Sequence, residues 1–188
     1  MSWEYEHSAD SRADPAAVWE RYKDVEHWSE WSKKGVAESH LDGEFQAGSK
    51  GTSKAPGLPK GRFELIEVEP ERAFVTKSKL PGASLVFEHR LEPIDDGTRI
   101  THRATLDGPL TPVWRVAVSR IIQRGLPSGV ERLAELSVEK EKEAREEEKA
   151  EQEREKRLEE ADEKFKEEIE KTSSGDGDAG GASVPGSA

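Results

Sequence analysis

Residues 111–136, TPVWRVAVSRIIQRGLPSGVERLAEL, decide how the rest of the chain is organised. Apolar residues recur at helical spacing throughout this long segment. On a helix they would form a stripe wide enough to cover one face of a β-sheet. The stripe consists of Trp114, Ala117, Val118, Ile121, Val130, Leu133 and Leu136. Because Pro127 would remove a hydrogen bond and clash with the preceding turn, we expect a kink or break near residues 123–126, or a separate helix that begins at Ser128.

A strand and two helices are expected at the start of the chain. Residues 2–8 alternate large and polar side chains, which predicts the strand. Asp14 and Pro15 predict a helix start, because aspartate can cap free N–H groups and proline suits the first helical position. A shorter helix can begin at Asp24. The side chains expected to face inward, as core or as the wall of a ligand pocket, are Val18, Trp19, Tyr22, Val25, Trp28 and Trp31.

Six further strands are expected before the long helix. They lie at residues 35–41, 48–53, 62–68, 73–79, 83–92 and 98–106. The last two form the clearest hairpin, because both alternate regularly and residues 94–97 supply a turn between them. Counting back from that turn places His89 opposite His102, and a slip of one residue would turn one apolar face outward. Both histidines should therefore point inward, side by side.

Charge divides the 188-residue chain into three parts. Residues 138–171 hold 16 acids and 10 bases, and residues 172–188 hold two aspartates, so the net charge of −11 comes mostly from the C-terminal third. Residues 1–137 are nearly neutral and long enough to bury a core. We expect one globular domain at 1–137, a charged helical extension at 138–171 and a disordered, Gly-rich tail at 172–188.

Composition excludes several classes of function. The chain has no cysteine, so disulfides and thiolate zinc sites are absent. Its acidic balance argues against nucleic acid, whose phosphates require a basic surface. The N-terminal segment lacks the basic and apolar regions of a signal peptide, and no apolar run reaches membrane-spanning length. We expect a cytoplasmic protein without a membrane span.

Catalytic and metal-binding motifs are not evident. The five histidines, His7, His27, His40, His89 and His102, do not stand at metal-ligand spacing. We therefore expect no metal and no cofactor. His89 and His102 still have three possible roles on the inward face of the sheet: structural hydrogen bonding, hydrogen bonding to a ligand, and acid–base catalysis.

Four segments, taken in order, carry a resemblance to a known superfamily. They are DPAAVWERYKDVEHWSEW at 14–31, FELIEVEPERAFV at 63–75, LEPIDDGTRITHR at 91–103, and the GPL…RGLP…LAEL helix at 108–136. Over residues 3–137 the chain resembles the START-like SRPBCC superfamily, specifically its bacterial polyketide cyclase/dehydrase and lipid-transport group. The resemblance implies an α+β helix-grip fold, in which a curved seven-stranded antiparallel sheet surrounds a long C-terminal helix. It also implies a cavity for an apolar or aromatic small molecule, and it assigns no catalytic residue.

The function expected is the binding of a hydrophobic or aromatic small molecule, as a carrier, a sensor or a sequestering protein. The predicted ligand-binding residues are Trp31, Phe63, Leu65, Phe74, Leu85, Phe87, His89, His102, Ala104, Trp114 and Ile121. Apolar walls would give shape, and the histidines would orient the ligand. One alternative is a polyketide aromatase/cyclase-type enzyme.

A further alternative is a protein-interaction module that acts through the charged extension. Residues 138–171 lack Gly and Pro and contain several acid–base pairs four residues apart, which favours a helix. A solvated helix is the simplest interpretation, and disorder is another. A protein partner could instead bind the apolar residues Leu158, Phe165 and Ile169.

Overall fold

The computed structural model describes residues 1–32 and 34–173. The predicted disordered tail lies outside the described residues from 174 onward. By its internal contacts the chain divides into two compact units, Met1–Glu143 and Ala144–Ala188. The sheet, the short helices and the candidate site all belong to the first unit.

Seven antiparallel strands form one sheet, as the sequence predicts. The strands are β1 Ser2–Ser11, β2 Glu38–Asp42, β3 Lys50–Lys54, β4 Gly61–Glu69, β5 Ala73–Leu80, β6 Ala83–Ile94 and β7 Gly97–Asp107. Their order across the sheet is β1-β7-β6-β5-β4-β3-β2. The first strand therefore pairs with the last, and the other strands follow as a meander of hairpins.

The register of the β6–β7 hairpin is the predicted one. His89 lies opposite His102, and Phe87 lies opposite Ala104. Strand β1 adds His7 on the other side of His102. The two inward histidines are buried, with 7% and 4% of their surfaces exposed. Alternation along the two strands thus sets the position of both imidazoles.

Two short α-helices follow β1, and they bury the predicted aromatic residues. Helix α1 is Pro15–Lys23 and helix α2 is Trp28–Trp31, with a 3-10 turn at Val25–His27 between them. Asp14 stands at the N-cap of α1, but its side chain makes no capping hydrogen bond. Pro15 does occupy the predicted first helical position, where its fixed φ favours the start of the helix.

Helix α3 is Thr111–Ser173, and Pro127 lies inside it. The predicted break, with a separate start at Ser128, is therefore wrong. Proline deprives the helix of one N–H donor, while Ser128 Oγ donates to the carbonyls of Arg124 and Gly125 at 3.0 and 3.2 Å. Burial of Leu126 and Val130 on either side stabilises the helical conformation through packing.

The apolar stripe of α3 differs from the predicted one in its first turns. The residues it buries are Val118, Ile122, Leu126, Val130, Leu133, Ala134 and Leu136. Ala117 is exposed, and Ile122 takes the inward position instead. Trp114 is half-buried near the β5–β6 turn, where its indole N–H donates to the carbonyl of Pro81 at 2.9 Å.

The second unit is helical through Ser173, and its described side chains are exposed. Of the predicted pairs four residues apart, Arg157 and Glu153 are joined at 3.0 Å. Leu158, Phe165 and Ile169 are 61%, 63% and 50% exposed. Within the described residues, no helix is long and apolar enough to span a membrane.

Candidate ligand-binding cavity

A cavity of about 180 Å³ lies in the first unit, between the sheet and α3. Its walls come from α2 and the loop after it, from strands β3 to β7, and from residues 118–129 of α3. Aromatic and aliphatic side chains make most of the lining, with a few hydroxyl groups and two histidines among them. This combination is typical of small-molecule sites.

Seven of the eleven predicted binding residues line this cavity. They are Trp31, Phe63, Leu85, Phe87, His89, His102 and Ile121. They come from five separate elements of the fold, so the predicted inward faces of the strands and of α3 meet at one place. That they contact a ligand is a proposal, developed below.

The other four predicted residues lie outside the cavity. Leu65, Phe74 and Ala104 are fully buried in the core. Phe74 is covered by a ring cluster: the ring of Tyr22 lies 4.8 Å from it and that of Phe45 lies 5.1 Å from it, both edge-on. Trp114 lies near the start of α3, away from the cavity lining. The inward face of the sheet therefore divides between core and cavity.

Two glycines of α3 are cavity residues that sequence reasoning missed. A Cβ at Gly125 would lie 3.0 and 3.1 Å from the backbone N and Cα of Gly35, so α3 passes close to the loop after α2. Gly129, one turn later, also lines the cavity. The signal in the sequence was a pair of glycines four residues apart on the apolar face of a helix. Thr76, Val118 and Leu126 are further lining residues that were not among the predicted binding residues. Trp28, expected to face inward as core or pocket wall, also lines the cavity.

Tyr22, His89 and His102 form a buried polar cluster at one part of the cavity. The hydroxyl oxygen of Tyr22 and Nε2 of His102 are hydrogen-bonded at 2.8 Å. The two imidazole rings lie 4.4 Å apart, edge to face, and His89 stacks flat on Phe74 at 4.0 Å. Stacking and the hydrogen bond thus fix the orientations of both histidines.

Both histidines are neutral at pH 7. Burial disfavours the imidazolium form and lowers the pKa of His89 to about 3, against the opposite effect of the Phe74 backbone. Burial also lowers the pKa of His102 well below 6.5, and the nearby His89 and His7 lower it further. Burial raises the pKa of Tyr22 well above 10.0, so its hydroxyl stays protonated. The cluster can form hydrogen bonds without carrying charge.

Two cavity-lining side chains have buried nitrogen atoms without a hydrogen-bond partner among the described residues. These atoms are Nδ1 of His89 and Nε1 of Trp31. A buried polar group that lacks a partner destabilises the fold by about 1–3 kcal/mol. Such groups are rare in folded proteins. Among the described residues, no group of three His, Asp or Glu side chains could hold a metal ion.

Most of the first unit matches the sequence model of a known protein family. Residues 2–137 match the model described as polyketide cyclase / dehydrase and lipid transport. The chain belongs to this family. No curated protein matches its sequence.

Solved structures of low sequence identity share the fold of this chain. Norcoclaurine synthase from Thalictrum flavum, in complex with dopamine and hydroxybenzaldehyde, is 14% identical with a TM-score of 0.58, over 74% of this chain and 88% of that one. Protein NE0264 from Nitrosomonas europaea is 16% identical with a TM-score of 0.57, over 72% and 94%. Protein MLL2253 from Mesorhizobium loti is 18% identical with a TM-score of 0.55, over 71% and 96%. These similarities identify the helix-grip fold.

Proposed function

We propose that the first unit binds a small hydrophobic or aromatic molecule, about one ring in size, inside the cavity. The observation that carries this proposal is the volume of about 180 Å³ behind mostly apolar walls. An engineered apolar cavity of about 150 Å³ in another protein binds benzene, whereas pockets for drug-sized ligands measure roughly 300–1,000 Å³. A single ring with a short substituent therefore matches the space.

The lining residues suggest how such a ligand would be held. Trp31, Phe63 and Phe87 offer aromatic surface to a ring, and offset or edge-on contacts of this kind stabilise beyond simple burial. His89 and His102 are the two imidazoles of the lining, and they would orient a ligand that carries a hydrogen-bonding group. Norcoclaurine synthase, similar in fold, was solved with two one-ring compounds, dopamine and hydroxybenzaldehyde.

The low basicity of the two histidines in the cavity favours ligand binding over the aromatase/cyclase alternative. A general base works best when its pKa lies near the working pH. The pKa of His89 is about 3 and that of His102 is also lowered, so both are weak bases at pH 7. Their low basicity suits hydrogen bonding to a neutral ligand better than the movement of protons along a polyketone chain.

Isothermal titration calorimetry with p-cresol tests this proposal. The compound is a neutral single ring with one hydroxyl group, and we expect saturable binding with one site per chain. Val118→Phe should abolish it, because Val118 is buried in the cavity wall and a larger ring there occupies the ligand's space. Val113→Phe is the matched control, since Val113 lies on the same helix, is 65% exposed and does not line the cavity. Absence of saturable binding, or equal binding by both variants, would contradict the proposal.

A further inference from the structure

A second depression lies on the surface beside the cavity. It is a groove lined by Lys34, Pro56, Val116, Ala117, Ser119, Arg120, Ile121 and Arg124. Three of these residues are basic, and none of the described residues that line the groove is acidic. Residues 1–137, which contain the groove, are nearly neutral overall, so the groove is a local positive patch.

The groove and the cavity share one lining residue and have adjacent lining residues at two further places. Ile121 lines both. In the loop after α2, Lys34 belongs to the groove and Gly35 to the cavity; after β3, Pro56 belongs to the groove and Ala55 to the cavity. Ile121, Gly35 and Ala55 are partly exposed on this side of the cavity, whereas His89 and His102 are buried. We read the groove as the mouth of the cavity.

The cations at this mouth are available to a ligand. Lys34, Arg120 and Arg124 are exposed, and no ion pair joins them to an acid in the part of the chain that the structure describes. Some other surface bases of the first unit do pair with acids, as Arg99 does with Asp10 at 2.8 Å and Arg103 with Glu6 at 2.7 Å. Two arginines one helical turn apart can meet the oxygens of a carboxylate or a phosphate together.

We infer that the ligand is an amphipathic anion, with a single-ring body in the cavity and a carboxylate or phosphate group at the mouth against Lys34, Arg120 and Arg124. This inference rests on the proposed function and narrows its ligand class. The cavity of about 180 Å³ leaves little room for a polar head beside the ring, whereas the basic groove lies next to its exposed walls. A charge at the mouth stays solvated, so it avoids the large penalty for burying an ion.

Calorimetry on the full-length chain with three matched compounds tests the inference. 3-Phenylpropionate carries a carboxylate, 2-phenylethyl phosphate carries a phosphate, and 3-phenylpropanamide is the neutral equivalent of the first. At low ionic strength we expect at least one anion to bind about fivefold more tightly than the amide, the scale of one or two exposed ion pairs. Raising the salt concentration should remove this difference, because exposed charges are screened.

A charge-removal variant adds a second measurement. Replacing all three bases by glutamine (Lys34→Gln, Arg120→Gln and Arg124→Gln) should weaken the anion about fivefold and leave the amide unchanged. Arg115→Gln is the control, because Arg115 is an exposed arginine of α3 that lines neither the groove nor the cavity. Salt dependence in the unaltered protein reports the same charge effect without any substitution.

The outcomes separate this inference from the function on which it rests. Preference for the carboxylate or for the phosphate supports the inference and identifies the head group. Equal affinity for all three compounds overturns the inference but leaves the proposed cavity binding intact. If none of the three binds and p-cresol also fails, the proposed function falls, and the inference falls with it.

Discussion

Acidification should destabilise the first unit through His89 and His102. Both are buried and neutral in the fold, with a pKa of about 3 for His89 and a pKa well below 6.5 for His102. In the unfolded chain each histidine titrates near pH 6.5. The unfolded state therefore binds more protons below pH 6.5, so the stabilisation is fully present above that pH and is lost as the pH falls toward the folded pKa.

The size of the effect follows from the unfolded pKa. At pH 5 the solution lies about 1.5 units below 6.5, and each unit corresponds to about 1.36 kcal/mol. His89, with a folded pKa of about 3, thus lowers the free energy of unfolding by about 2 kcal/mol between pH 7 and pH 5. His102, whose pKa is also lowered, acts in the same direction. Domains of this kind are stable by about 5–15 kcal/mol, so the change is large. Ordinary carboxyl groups, with pKa values near 4, contribute little above pH 5.

Urea unfolding at pH 7 and pH 5, followed by circular dichroism, measures this loss. His89→Gln should reduce it by about 2 kcal/mol, and His102→Gln should also reduce it, because glutamine does not titrate. His27→Gln is the control. The hydrogen bond to Asp24 raises the pKa of the exposed His27, so protonated His27 stabilises the fold at low pH. Its replacement should therefore not reduce the loss of stability between pH 7 and pH 5. Equal acid destabilisation in the unaltered protein and in both inward variants would refute the reasoning.

Three further predictions concern the first unit. Gly125→Ala should destabilise the fold by about 1–3 kcal/mol, because the new Cβ would lie 3.0–3.2 Å from the backbone of residues 34–35. In Gly129→Ala the nearest atom would lie 3.5 Å from the new Cβ, so this variant should be neutral or stabilised by up to about 1 kcal/mol. Thermal melts of the two variants measure the difference. Tyr22→Phe should destabilise by about 1–3 kcal/mol in urea unfolding, since it leaves buried Nε2 of His102 without its partner, and no loss would mean that the hydrogen bond is unimportant. A chain that ends at Glu143 should have a free energy of unfolding within about 1 kcal/mol of that of the full-length chain, because the removed helix is exposed. A much larger loss would show that the extension stabilises the domain.

The hairpin of β6 and β7 shows what the sequence alone could predict. Regular alternation on both strands and a short turn leave one register that buries both apolar faces, and the structure has that register. The same logic explains the seven-stranded sheet and the burial of the first aromatic residues. These features depend on local spacing, which is visible in the sequence.

The division between core and cavity depends on contacts distant in sequence. Phe74 and Phe63 both face inward, but the rings of Tyr22 and Phe45 cover Phe74, while Phe63 lines the cavity. The stripe of α3 was misplaced at Ala117 for a similar reason, since helical periodicity allows neighbouring faces and packing selects one. Pro127 likewise predicted a break that packing overrides.

The position of a bound ring tests the central proposal most directly. Isotope-filtered nuclear Overhauser spectroscopy of the labelled protein with unlabelled p-cresol reports which side chains lie within a few ångströms of the ligand. Binding in the cavity predicts contacts from the ring to Val118 and Phe87, which line the cavity, and none to the exposed Val113. Contacts confined to exposed side chains such as Val113, or no contacts at saturating p-cresol, would contradict it.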